Sequence, residues 1–114
     1  MERKRRKYSR EEFLKLKPLR KDFEWQEDEG KIKIIVPKFK TKIGKKFCEL
    51  LGREPTFTAN LDERGSLIWK LCDGRHTVEE ILENLKKNFP DEENIEQRLF
   101  YYLYMLKRLD YIIY

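Results

Sequence analysis

The run Leu61–Leu85, LDERGSLIWKLCDGRHTVEEILENL, decides how the rest of this chain is read. Leu61, Gly65, Ile68 and Cys72 recur at helical spacing, with Leu71 beside them, and Asp62 stands where a helix N-cap is needed. Asp73-Gly74 then stops the helix, because glycine reaches positive φ without a Cβ clash. A second helix opens at once. Thr77 and Glu80 have the T-x-x-E spacing of a capping box, and Val78, Ile81, Leu82, Leu85 and Phe89 form one apolar stripe behind it. Two helices around a tight turn suit a DNA reader, a peptide binder or a purely structural element.

Strand-like patterns precede this pair. Leu19 to Gln26 places Leu19, Phe23 and Trp25 on one face at period two, and Lys31 to Val36 does the same with Ile32, Ile34 and Val36. Glu27-Asp28-Glu29-Gly30 between them predicts a β-hairpin with one buried face. Thr56 to Asn60 alternates again, and since an isolated hairpin is marginal, this run is expected to join as the third strand. One strand must then lie at an open edge. Thr41 to Leu51, with Ile43, Phe47, Leu50 and Leu51 apolar, predicts a short helix inserted before that strand. Ser9 and Glu12 predict another capping box, opening a short N-terminal helix that stops before Pro18. The expected fold is α+β and winged-helix-like: a three-stranded antiparallel sheet followed by a three-helix unit, with the two extra helices added. Residues 1–18 are expected as a basic tail and short helix, and 19–114 as the main domain.

The last helix should start at Pro90-Asp91, with Asp91 as cap, and run to about Leu109. Ile95, Leu99, Tyr102, Leu103, Leu106 and Leu109 make an adequate core stripe. Phe100, Tyr101, Tyr104 and Met105 lie off it, so the helix is apolar or aromatic nearly all round. Either the N-terminal helix, the C-terminal tail Tyr111–Tyr114 or a homodimer covers this surplus, or a partner does.

Charge and composition narrow the function. Residues 1–60 hold 18 Lys/Arg against 10 Asp/Glu, and residues 61–114 hold 8 against 11, so the net +5 lies outside the helix pair. A groove-reading helix needs positive charge on itself; Val78 to Phe89 would instead present Glu79, Glu80 and Glu83 to phosphates. That argues against nucleic acid. Charged residues are 41% of the chain and mean hydropathy is −0.84, yet 13% aromatics supply a core that disordered chains lack. No apolar run approaches the ~20 residues of a membrane span, and no signal sequence follows the basic start, so the cytoplasm is expected.

Catalytic chemistry is hard to assemble from this inventory. The serines are Ser9 and Ser66, the single histidine His76 lies in a turn and is expected to be solvated, and Cys48 and Cys72 are too far apart for a zinc pair. Two buried free thiols are expected. Trp69 is expected in the core, and no catalytic residue, metal or cofactor is assigned.

Leu61-Asp62, Gly65, Ile68-Trp69, Leu71-Cys72-Asp73-Gly74, Thr77-Val78, Ile81 and Leu85 together resemble the signature of the PqqD family. This is the pyrroloquinoline quinone biosynthesis protein D family, whose domain is also called the precursor-peptide recognition element of ribosomal peptide modification systems. The resemblance is close from about Thr56 onward. It implies a non-catalytic peptide chaperone that binds a leader peptide by strand addition and presents it to a modifying enzyme, often a radical S-adenosylmethionine enzyme. Carried over, the leader would pair with Thr56, Phe57, Thr58, Ala59 and Asn60 and pack on Arg98, Tyr101, Tyr102 and Met105. The iron–sulfur cluster would be the partner's, since this chain lacks the cysteines to hold one. A small winged-helix DNA binder and a structural dimerisation module are the alternatives.

Overall fold

Three caps written in the sequence form as expected in the computed structural model, which describes residues 7–38, 46, 48–52 and 55–114. Ser9 and Glu12 exchange side chain and main chain at the start of α1 (Arg10–Leu14), and Thr77 and Glu80 do so at α3 (Val78–Asn88). Asp62 Oδ1 accepts the Gly65 N–H at 2.7 Å and opens α2 (Glu63–Leu71). The remaining elements are β1 (Leu19–Arg20), β2 (Glu24–Asp28), β3 (Lys31–Pro37), β4 (Thr56–Asn60), α4 (Ile95–Arg108) and β5 (Ile112–Ile113). The α+β order is the expected one, a three-stranded antiparallel sheet followed by three helices.

The chain forms two compact units, one of residues 22–67 and one of residues 1–21 with 68–114. In the first, β2-β3-β4 is an antiparallel sheet with β3 in the centre. Its hairpin turn is tighter than expected: β2 runs on to Asp28, and Glu29 and Gly30 alone make the turn, both at positive φ (52° and 79°), as a type I′ turn requires. Ile32, Ile34 and Val36 are buried along one face of β3, in line with the alternation. Ser66 is buried on α2 and splices that helix into the end of the ladder. Its Oγ accepts the Ile32 N–H at 2.8 Å and donates to the Leu61 C=O at 3.4 Å, while Leu61 N–H donates to Ile32 C=O. One hydroxyl therefore stands in the place of a ladder rung.

The second unit packs Ile68, Trp69, Cys72, Val78, Ile81, Leu82, Leu85, Leu99, Leu103, Leu106 and Ile112 into its core. Two predicted features are corrected here. Leu19 to Gln26 is not one strand: it breaks at Lys21–Phe23, and β1 pairs with β5 in a separate two-stranded sheet, Leu19 opposite Ile113. Arg20 N–H donates to Cys72 C=O and Lys21 N–H to Tyr111 C=O, partners that a local pattern cannot reveal. Asp91 is not the cap of the last helix. That helix begins at Ile95, after Asn94 in the left-handed region (φ 56°), a conformation asparagine tolerates better than most residues. The C-terminal tail supplies β5.

The Asp73–Gly74 turn behaves as its residues require. Gly74 has φ +76°, and a Cβ there would meet Leu19 Cδ1 at 3.2 Å. Arg20 Nη1 donates to the carbonyls of Trp69 and Lys70, both at 2.8 Å, satisfying the free end of α2. The helix expected over Thr41–Leu51 lies largely outside the described residues; residues 48–50 are helical, with Cys48 buried and Leu50 exposed.

Candidate functional site

Two hydrogen bonds reveal which way each residue of β4 points its main chain. Lys38 N–H donates to Pro55 C=O at 2.7 Å, and Leu61 N–H to Ile32 C=O at 2.9 Å, one at each end of the β3–β4 register. Bonded pairs in an antiparallel ladder recur at every second residue. The bonded rungs inside the strand are therefore Val36–Phe57 and Ile34–Ala59. Phe57 and Ala59 spend their N–H and C=O groups on β3. Thr56, Thr58 and Asn60 turn theirs away from the sheet, and Pro37, which has no N–H, stands opposite Thr56 where none is needed. Among the described residues no strand pairs with that outer side.

Side chains follow the same alternation. Phe57 and Ala59 share the face of Val36 and Ile34, while Thr56, Thr58 and Asn60 share that of Pro37, Ile35 and Lys33. Ala59 is half-buried, and Phe57 is 46% exposed despite lying on the apolar face. The edge has no charged residue at all. Unpaired main-chain groups on an uncharged, β-prone strand are what an incoming strand needs.

Of the second set of expected residues, all four lie on α4, in the other unit. Tyr101 is 65% exposed and Met105 is exposed one turn further on; Tyr102 is half-buried. Arg98 is held by Glu92, with Nη1 2.5 Å from the carboxylate. The aromatic surplus of this helix divides. Phe100 packs edge-on against Phe13 of α1 (4.9 Å between centroids), and Phe13 in turn against Tyr114 (5.3 Å), so the N-terminal helix and the tail cover that side. Tyr104 receives a bond from Arg108. Tyr101 and Met105 are left open to solvent.

His76 is less solvated than expected. Its Nδ1 lies 2.9 Å from the Asp73 carboxylate, which also accepts the N–H groups of Arg75 and His76. Partial burial pushes the Asp73 carboxyl up, but these bonds, that from Arg75 first, outweigh it and bring it down to about 2. The pair clips the turn. Cys48 and Cys72 are free and buried, and burial pushes the Cys72 thiol up to about 12. Among the described residues, no group of three or more His, Cys, Asp or Glu side chains is placed to hold a metal, and no helix is long and apolar enough to cross a membrane.

Ser66, which the sequence offers only as one of two serines for catalysis, has its hydroxyl committed to holding β3 and Leu61. Its partner Ile32 lies 34 positions away, so no local spacing signals the role.

Searches among curated proteins and solved structures gave no match. A family model described as coenzyme PQQ synthesis protein D (PqqD) matches residues 50–112. That span is more than half of the chain and takes in β4, α2, α3 and α4 together. The chain belongs to the PqqD family, and through it to the biosynthesis of PQQ or of a related ribosomally made peptide product.

Proposed function

We propose that this protein is a non-catalytic peptide-binding member of its family. It takes the leader of a ribosomally synthesised precursor as an added strand on the outer side of β4. It then presents that precursor to a separate modifying enzyme, a radical S-adenosylmethionine maturase. The observation that carries the reading is the phase of the β4 ladder: Thr56, Thr58 and Asn60 offer their main-chain groups outward from an uncharged strand within the family-matched residues. Main-chain pairing supplies affinity, and the exposed Phe57 ring gives the incoming strand an apolar side chain to lie beside.

The charge of α3 weighs against the DNA-binding alternative. The first turn of α3 exposes Glu79 and Glu80, the latter tied into its capping box, and both would repel a phosphate backbone.

The test is a fluorescence-anisotropy titration at two salt concentrations. The probes are a labelled candidate leader peptide and a labelled DNA duplex. Saturable leader binding that changes little with salt is the expected result. Binding to the duplex alone, falling steeply as salt rises, would overturn the proposal.

A further inference from the structure

The outer side of β4 is complementary to itself. We propose that in the absence of a leader this edge pairs antiparallel with the same edge of a second copy, about a two-fold axis through Thr58. This goes beyond the peptide-binding reading, because the occupant is another molecule of this chain and its presence needs no peptide.

The register follows from the ladder phase. An isologous contact places residue i against residue j and j against i. With the axis at Thr58, Thr58 faces Thr58 of the second copy, and Thr56 faces Asn60 in both directions. These are the three residues whose N–H and C=O groups point outward. Each such pair exchanges both of its hydrogen bonds, so no outward group of the strand is left over. The residues between them fall into the close, non-bonded rungs, where side chains approach nearest. There Phe57 meets Ala59, a large exposed ring against a small half-buried side chain, twice by symmetry. The two Phe57 rings become diagonal neighbours, within reach of aromatic side chains. No charge lies on the strand to oppose the approach.

The other edge of the sheet cannot do this. β2 reads Glu24-Trp25-Gln26-Glu27-Asp28, and antiparallel self-pairing centred on Gln26 or Glu27 would set its carboxylates face to face. A contact confined to one short strand lies at the weak end of specific interfaces, so association is expected at roughly 0.1–1 mM rather than at trace concentration. Leader and second copy use the same main-chain groups and exclude one another.

Sedimentation equilibrium without any peptide tests this on the wild type, Thr58→Lys, Thr58→Glu and an equimolar mixture of the two variants. Thr58 is exposed, so both variants should fold. On the two-fold axis each variant sets like charges face to face, and the mixture sets opposite ones. The wild type is expected to associate reversibly, each variant alone to remain monomeric, and the mixture to associate at least as tightly as the wild type. A wild type that stays monomeric at 1 mM, or variants that associate as it does, would overturn the inference. The leader titration, run at nanomolar protein where the edge is free, reports on peptide binding independently, so the two ideas can fail separately.

Discussion

The two edges of the one sheet differ in the property that decides what they can bind. Both present alternate main-chain groups outward: Thr56, Thr58 and Asn60 on β4, and Trp25 and Glu27 on β2, because the type I′ turn makes Asp28–Lys31 a bonded pair. β2 surrounds its outward groups with Glu24, Glu27 and Asp28, whereas β4 has only threonine, asparagine, alanine and phenylalanine. Charge on an edge is a standard protection against unwanted pairing. One edge is guarded and the other is left open, which is how a small sheet can add a strand on one side without polymerising.

The largest effect should come from putting proline at the wrong phase of the open edge. Ala59→Pro removes a donor that belongs to β3 and leaves a buried acceptor unmatched. It should cost about 2 kcal/mol or more and melt the sheet unit, read by urea denaturation. Thr58→Pro, one residue away, removes an outward donor. It should leave stability within about 0.5 kcal/mol and weaken leader binding about tenfold or more. Equal behaviour of the two variants would break the assigned phase.

Ser66→Ala should come next. It strips the acceptor from the buried Ile32 N–H, at a cost of about 1–3 kcal/mol in the same denaturation experiment. Unchanged stability would show that the ladder can close without the hydroxyl. The guarded edge can be opened in turn. Replacing Glu24, Glu27 and Asp28 by Gln, Gln and Asn should leave the fold intact and raise light scattering at high concentration, since β2 loses its repulsion. If scattering stays flat, charge is not what protects this edge.

The smallest effect lies in the other unit and serves as a control on both edges. Asp73 is held below its ordinary value, at about 2. A lowered carboxyl stabilises the folded state above its unfolded pKa, and that contribution is lost as pH falls from about 4 through 2. Asp73→Asn should cost on the order of 1 kcal/mol at neutral pH. It should also flatten the acid limb of the melting profile, while leaving leader binding untouched. An acid limb as steep as that of the wild type would remove Asp73 from this role.

What could be read from the chain beforehand depended on how far apart the partners lie. The caps at Ser9, Asp62 and Thr77 were legible because donor and acceptor sit three residues apart, as were the β3 alternation and the Asp73–Gly74 stop. The break at Lys21–Phe23 was not legible, because Leu19, Phe23 and Trp25 keep one period-two phase on either side of Lys21 while the main chain turns to Cys72 and Tyr111. Asp91 looked like a cap because it follows a proline, but the left-handed Asn94 delays the helix to Ile95. Thr56–Asn60 was recognisable as an edge; which of its residues face outward needed the register. On α4 the surplus of aromatics was plain, yet only the position of Phe13 shows that Phe100 is covered and Tyr101 is not.

The pairing of β1 with β5 also sets a timetable. The sheet unit is one uninterrupted stretch, residues 22–67, so a ribosome that has released it has delivered every residue it requires. The other unit is split: Arg20 meets Cys72 soon after the sheet unit, but residues 19–21 complete their pairing only with Tyr111, Ile112 and Ile113. Those first residues leave the exit tunnel early, and their strand partner follows only after the Ile95–Arg108 helix has been made. Slowing translation over the final helix would lengthen that interval for the helical unit and leave the sheet unit unaffected.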